Sequence, residues 1–412
     1  MAVNCNPKLW RTAAAVLLLM SSAGIGAAPA TASAPMPAGF ISAEGVVPML
    51  GMRFVGSELI MGAPGEFGGC DKTESAPNGY TIEWLSSGLP LPEERQEETL
   101  KLVPEDRGTF ISFRVRPTTP EKQGCPDQVE LRSKETAPIA ASNRAMGWTG
   151  RGNFELLGRT ASGELVLYPR TYTYQPGWCF SSGTCPGYTS EWDEPSVVGT
   201  GWGVFNIVFS PGDFDGDGNN DILARDAGGV LYLYPGDGDG GWLPRSVVGT
   251  GWNIFNTVLG PGDFNADGNN DVLGRDAAGR LLLYPGDGEG GWLPSVVAGN
   301  GWQIFDTIIA PGDVTGDGWV DLYGRDHAGY LHQYPTDGHL GWYPPTRLGP
   351  GWGAMSGISG AGSYTHNVEL PVNGGVRQPR NDLLAINPDG ELLRYFAGGA
   401  IGTGWDIFVE LI

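Results

Sequence analysis

The sequence predicts an all-β fold, a β-propeller of about five four-stranded blades preceded by a small N-terminal β-sandwich. Three observations predict it. The pairs Gly201-Trp202, Gly251-Trp252, Gly301-Trp302 and Gly351-Trp352 stand 50 residues apart, and Arg225-Asp226 and Tyr234-Pro235 recur at the same interval. Each unit offers four short apolar segments separated by Gly, Asp and Asn clusters, as antiparallel strands joined by tight turns require. The 67 glycines, 32 prolines and 14 tryptophans suit turns and packed strands, not helices.

The first element concerns export. Lys8 and Arg11 precede an apolar run from Thr12 to Met20, and Ala30-Thr31-Ala32 offers an A-x-A site. Residues 1–32 are expected to be a signal peptide, too short in its apolar part to span a bilayer. Cleavage after Ala32 is preferred, because cleavage after Ala34 leaves Pro35 beside the scissile bond. No second long apolar segment follows, so a secreted, soluble monomer without membrane insertion is expected. Cys5 leaves with the leader. Cys70, Cys125, Cys179 and Cys185 remain, an even count in an exported chain, which points to two disulfides. Of three possible pairings, Cys70–Cys125 with Cys179–Cys185 keeps each bridge within one domain. Zinc is the rival for the close pair, but no histidine or C-x-x-C lies nearby.

Residues 39–135 carry no copy of the repeat. Strands are expected at 57–62, 80–84 and 109–116, the last alternating Ile111, Phe113 and Val115 against Phe110, Ser112 and Arg114. Residues 139–412 carry the repeat. In the third unit the strands are expected at 255–259, 272–275, 280–284 and 295–297. The first unit is stretched by an insertion between Tyr168 and Ser196, and the fifth by one before Asn381-Asp382. A sixth copy starts at Gly404-Trp405 and stops. The first unit lacks a Gly-Trp-x-x-Phe strand, so residues 405–412 are expected to supply it and close the ring, hiding both sheet edges. A β-solenoid is the structural alternative.

Three units contain an acidic loop. The first places Asp213, Asp215, Asp217, Asn219 and Asp221 at positions 1, 3, 5, 7 and 9, with Gly218 at position 6. The second has Asp263, Asn265, Asp267, Asn269 and Asp271, and the third Asp313, Thr315, Asp317, Trp319 and Asp321. Alternate residues bring oxygens to one side of a tight turn, the glycine permits positive φ, and the position-7 carbonyl completes the set. Calcium, which takes six to eight oxygens, suits such a loop better than magnesium's rigid octahedron. About three structural ions are therefore expected. An EF-hand is excluded, since its glutamate position holds Ala224, Gly274 and Gly324.

On these loops and the 50-residue unit the chain resembles FG-GAP (VCBS-type) repeats of integrin-like propellers. The resemblance implies calcium in the hairpin between the first two strands of a blade. Unit one keeps only Glu155 at position 9 and unit five only Asp382, so neither is expected to bind an ion. Thr315 makes the third loop the weakest. Upstream, Gly79-Tyr-Thr-Ile-Glu-Trp84-Leu-Ser-Ser-Gly88 and Asp106-Arg-Gly108 before Phe110–Val115 resemble bacterial immunoglobulin-like domains. That resemblance implies a core Trp84 and a spacer or adhesion role.

Aromatic side chains supply the candidate ligand contacts. Tyr172, Tyr174, Trp178 and Trp192 lie in the first insertion, and Trp242, Trp292 and Trp342 follow Gly-Gly or Leu-Gly in loops. Flat rings suit sugar stacking, and packing is the alternative reading. The net charge of −21 excludes nucleic acid as a partner. No nucleophile, base and oxyanion donor assemble by sequence, so an enzyme is not expected. The expected function is recognition or adhesion toward a glycan or protein ligand at a cell surface or in the medium. The alternatives are a secreted hydrolase with a site on the propeller face and a structural envelope-associated protein.

Overall fold

The 50-residue unit folds as one four-stranded antiparallel sheet. The computed structural model describes residues 49–61, 80–117, 130–175, 187–362, 382–395 and 399–412, apart from positions 52, 98, 137, 141–145, 153 and 316. The leader, the four mature cysteines, Trp178 and most of the fifth-unit insertion lie outside the described residues. In blade 2 the strands are Phe205–Gly212, Asp221–Asp226, Leu231–Tyr234 and Ser246–Gly249, hydrogen-bonded in that order. Blades 3 and 4 repeat the pattern from Phe255 and Phe305, and blade 5 from Gly357.

Sequence periodicity explains the packing. Along Leu231–Tyr234 burial alternates, with Leu231 and Leu233 inside, as a period-two strand requires. Each Gly-Trp opens a short 3-10 turn whose tryptophan is buried: Trp202, Trp252, Trp302, Trp352 and Trp405. Trp202 shares a cluster with Leu157 and Leu165 of blade 1 and Phe205 and Ile222 of blade 2, so it wedges between blades. The first strands of successive blades approach closely. A Cβ on Gly260 would stand 2.4 Å from the Ser210 carbonyl oxygen, and one on Gly360 would stand 2.3 Å from Pro311 Cα. No larger side chain fits there.

The ring closes with the chain's own end. Blade 1 is ordered Ser196–Gly199, Leu165–Tyr168, Leu156–Thr160 and then Phe408–Leu411, with Phe408 opposite Thr160 and Leu411 opposite Gly158. Glu410 fastens the closure through Arg159, at 2.9 Å and 3.0 Å. Five four-stranded sheets therefore follow one another from residue 156 to residue 411.

The N-terminal residues form two small sheets over one core. Met49–Gly51, Glu58–Met61 and Thr99–Lys101 make one; Leu89–Pro90, Tyr80–Ser86, Ile111–Pro117 and Leu131–Arg132 make the other. Trp84, Phe113, Leu59 and Leu100 pack between them, and Trp84 meets Phe113 edge to face at 5.1 Å. Buried Asp106 accepts both arms of Arg95, at 2.9 Å and 2.6 Å, and the Val103 N–H at 2.9 Å.

Candidate metal centre

The loop between the first two strands of blade 2 is folded by its own carboxylates. Asp213 accepts the N–H groups of Gly216 (2.7 Å) and Gly218 (3.1 Å); Asp215 accepts Asp217 N–H, and Asp217 accepts Asn219 N–H. Gly218 turns the chain back with φ of 94°, and Gly268 and Gly318 do the same at 91° and 99°. Asp221 lies at the base. Its Oδ2 accepts Phe214 N–H (2.8 Å) and Asp215 N–H (3.2 Å), and its Oδ1 accepts Gly236 N–H from the neighbouring turn (3.0 Å). Asp271 and Asp321 are bonded in the same way.

Blade 1 separates pinning from ligation. Glu155 receives the Trp148 and Thr149 N–H groups at 2.6 Å and 3.0 Å, although no Asp ladder precedes it. The position-9 carboxylate therefore shapes the loop even where no ion is expected. In the first acidic loop it does this and still brings an oxygen near those of Asp213 and Asp215.

The donor set fits a hard divalent cation best in the first loop. Asp213, Asp215 and Asp221 each bring one carboxylate oxygen to within 4.8 Å of the others. Burial, with help from neighbouring carboxylates, pushes Asp213 up to about 6 and Asp221 up to about 8. The same causes push Asp263 up to about 7 and Asp271 well above the carboxylate range. A cation where these oxygens converge relieves both desolvation and repulsion. Burial also pushes Asp321 up to about 7. The third loop nevertheless fits calcium less well. The Thr315 hydroxyl donates to Asp313 Oδ1 at 3.4 Å, and Arg53 from the N-terminal sheets reaches Asp313 Oδ2 at 3.4 Å.

Two sets of residues to which the sequence assigned no role tie the loops and blades together. The Asn220 amide donates to the Gly147 carbonyl (2.5 Å) and Asn270 to the Asp213 carbonyl (2.8 Å), linking each loop to the one before. Val320 breaks this series. The repeated arginine forms the second set. Arg225 Nη1 donates to the Trp252 and Phe255 carbonyls of the next blade (2.8 Å and 2.6 Å), and its Nε to Asn206 of its own blade. Arg159, Arg275 and Arg325 repeat the clamp. The Arg-Asp register was visible in the sequence, but its cross-blade partners are 27 and 30 residues away.

The candidate ligand tryptophans prove to have structural partners. Trp242, Trp292 and Trp342 are half-buried, and their indole N–H groups donate to Val198, Val248 and Ala298 carbonyls of the preceding blade, at 3.0, 2.7 and 2.8 Å. Trp192 does the same toward Ile401 at 3.3 Å, with Arg170 over its ring at 5.0 Å. These indoles are tied into the seams between blades, the packing that the sequence left as the alternative. Tyr172 and Tyr174 lie on a ribbon in which Arg170–Gln175 pairs with Gly187–Trp192 over six residues. Blades 2 to 4 have only a single bridge there, such as Gly236 to Trp242.

Comparison with known proteins gives the repeats their family. The model of the FG-GAP-like repeat matches residues 213–274 and 263–324. Residues 213–324 are FG-GAP-like repeats. No curated protein matches the chain in sequence. Among solved structures, an Agrocybe aegerita lectin that recognises non-reducing terminal N-acetylglucosamine is 14% identical, covering 74% of this chain and 80% of that one (TM-score 0.30). A Burkholderia pseudomallei lectin is 14% identical, covering 87% and 94% (TM-score 0.35). A Bacillus licheniformis rhamnogalacturonan lyase is 11% identical, covering 87% and 69% (TM-score 0.22). At such scores these likenesses bear on neither ligand nor chemistry.

Proposed function

We propose that the chain is a secreted, monomeric recognition module whose propeller is stabilised by calcium and whose ligand, a glycan or a protein, docks at the end of the ring that carries the acidic loops. The calcium is structural: Asp213, Asp215, Asp217 and Asp221, with their counterparts in blade 3, hold it, and it neutralises carboxylates that burial otherwise penalises. The ribbon carries the recognition reading. It extends the connection between the third and fourth strands of blade 1, so it leaves the sheet at the same end as the loops between first and second strands. The insertion before Asp382 joins the first and second strands of blade 5 and therefore starts and finishes at that same end. Segments that exceed the repeat template on a rigid scaffold are where binding usually resides.

The ribbon's aromatic content favours a glycan, since ring faces stack on sugar planes. A glycan array probed with the full chain and with a chain lacking residues 172–190 tests this reading. Selective glycan binding by the full chain, lost on deletion while the calcium-dependent melting transition persists, is the expected result. Undiminished binding after deletion would place the ligand elsewhere.

A further inference from the structure

The three acidic loops face the N-terminal sheets differently. A Cβ built on Gly218 of the first loop meets nothing within 4 Å. On Gly268 of the second loop it meets Gly108 N at 3.2 Å and Arg107 Cγ at 3.4 Å. On Gly318 of the third it would stand 2.1 Å from both Nη1 and Nη2 of Arg53. The Arg53 guanidinium thus lies on the turn of the third loop, paired with Asp313 at 3.4 Å. Its backbone is held there independently, because Ala140 N–H donates to the Arg53 carbonyl at 2.9 Å and Phe54 bridges Ala140.

We propose that the third loop holds the guanidinium of Arg53 in place of a calcium ion, so that docking of the N-terminal sandwich on blade 4 and calcium in the loop 313–321 exclude each other. The inference rests on the calcium reading of the first two loops. Composition supports it. The first loop offers four carboxylates at positions 1, 3, 5 and 9, whereas the second and third offer three. The second replaces the fourth with Asn265, whose carbonyl oxygen remains a calcium donor; the third replaces it with Thr315, whose hydroxyl is turned to Asp313. A planar, permanently charged guanidinium satisfies such a carboxylate set by hydrogen bonds. A divalent ion a few ångströms from it would meet direct repulsion. The other departures of blade 4 fall at the same end. Trp319 replaces the asparagine of the other loops and packs on the neighbouring turn against His339 at 5.4 Å, and Val320 gives up the link to the preceding loop.

Calcium titration of the EGTA-stripped full chain, followed by calorimetry and elemental analysis, tests the proposal. Two equivalents are expected for the unaltered chain and three for Arg53→Gln. Adding Asp313→Asn to Arg53→Gln should return the count to two, locating the third ion. Three equivalents in the unaltered chain, two in Arg53→Gln, or three in the double variant would each overturn the placement of Arg53 while leaving the calcium reading intact. No bound calcium in the unaltered chain would overturn the calcium reading instead, and this inference with it.

Discussion

Stripping calcium with excess EGTA is expected to lower the melting temperature by about 10–20 °C. Two loops carry a full donor set, and an ion that binds only the folded state adds about 2.7 kcal/mol per site at one hundred times its Kd. The sum is roughly 5 kcal/mol, and for a unit of this size each kcal/mol moves the transition by about 2–4 °C. The pH dependence follows from the buried carboxylates. Asp213, Asp221 and Asp263 have folded pKa values of about 6, 8 and 7, all above the ordinary value of an unfolded aspartate. In the calcium-free protein the folded state therefore binds more protons than the unfolded state between about pH 4 and pH 8. Its stability must then fall as pH rises through that window. Bound calcium removes the effect by displacing the protons. Differential scanning fluorimetry at pH 5 and pH 8, with calcium and with EGTA, should show a calcium-induced rise that is small at pH 5 and large at pH 8. A calcium-free melting temperature that climbs from pH 5 to pH 8 would refute the reasoning, as would equal shifts at both pH values.

Two other perturbations address the scaffold. Arg275→Gln leaves the buried Trp302 and Phe305 carbonyls without their donor, at about 1–3 kcal/mol each; thermal melting should drop by roughly 4–24 °C, and Arg275→Lys should recover little because an ammonium does not reproduce the guanidinium's planar fork, which also reaches Asn256. Removing residues 408–412 exposes the edge of Leu156–Thr160; size-exclusion chromatography with light scattering should show association of the truncated chain, and an unchanged monomer with an unchanged melt would argue against closure by the C-terminal strand.

The repeat was legible because its signals are local. Gly-Trp, Arg-Asp and Tyr-Pro mark turn and strand positions within each unit, and the acidic ladder needs only nine consecutive residues to be seen. The closing strand was legible for a related reason: one unit lacked a strand and the chain's end offered one. What sequence did not reveal depends on partners far along the chain. Asn220 looks like a loop residue until its amide is seen on Gly147, 73 residues away. Nothing near Trp242, Trp292 and Trp342 in sequence shows that each reaches 44 residues back to a carbonyl. Arg53 is separated from Asp313 by 260 residues, and no feature of either segment anticipates the pairing.

The seams also explain where the chain tolerates insertions. The repeated seams are fastened in both directions, by an arginine reaching forward to the next blade and a tryptophan indole reaching back. Between blades 1 and 2, 2 and 3, and 3 and 4 both fastenings are present. Between blades 4 and 5 the arginine remains as Arg325 and Tyr395 stacks on Trp352 at 4.5 Å as Tyr234 does on Trp202, but no tryptophan stands between Tyr395 and Trp405 to reach back. Between blades 5 and 1 the backward indole remains as Trp192, but Ile386 stands where the arginine would be. Ile386 instead joins Phe154, Leu156, Trp405 and Phe408 in an apolar cluster, and blade 1 takes its first strand from the segment that leaves blade 5. That seam replaces the arginine clamp with an apolar core, so it depends least on the repeated polar clamps. Blades 1 and 5, which flank it, are the two that carry insertions. With the arginine clamp absent, the closing seam is the one least bound to the repeat template, and the ribbon grows from there.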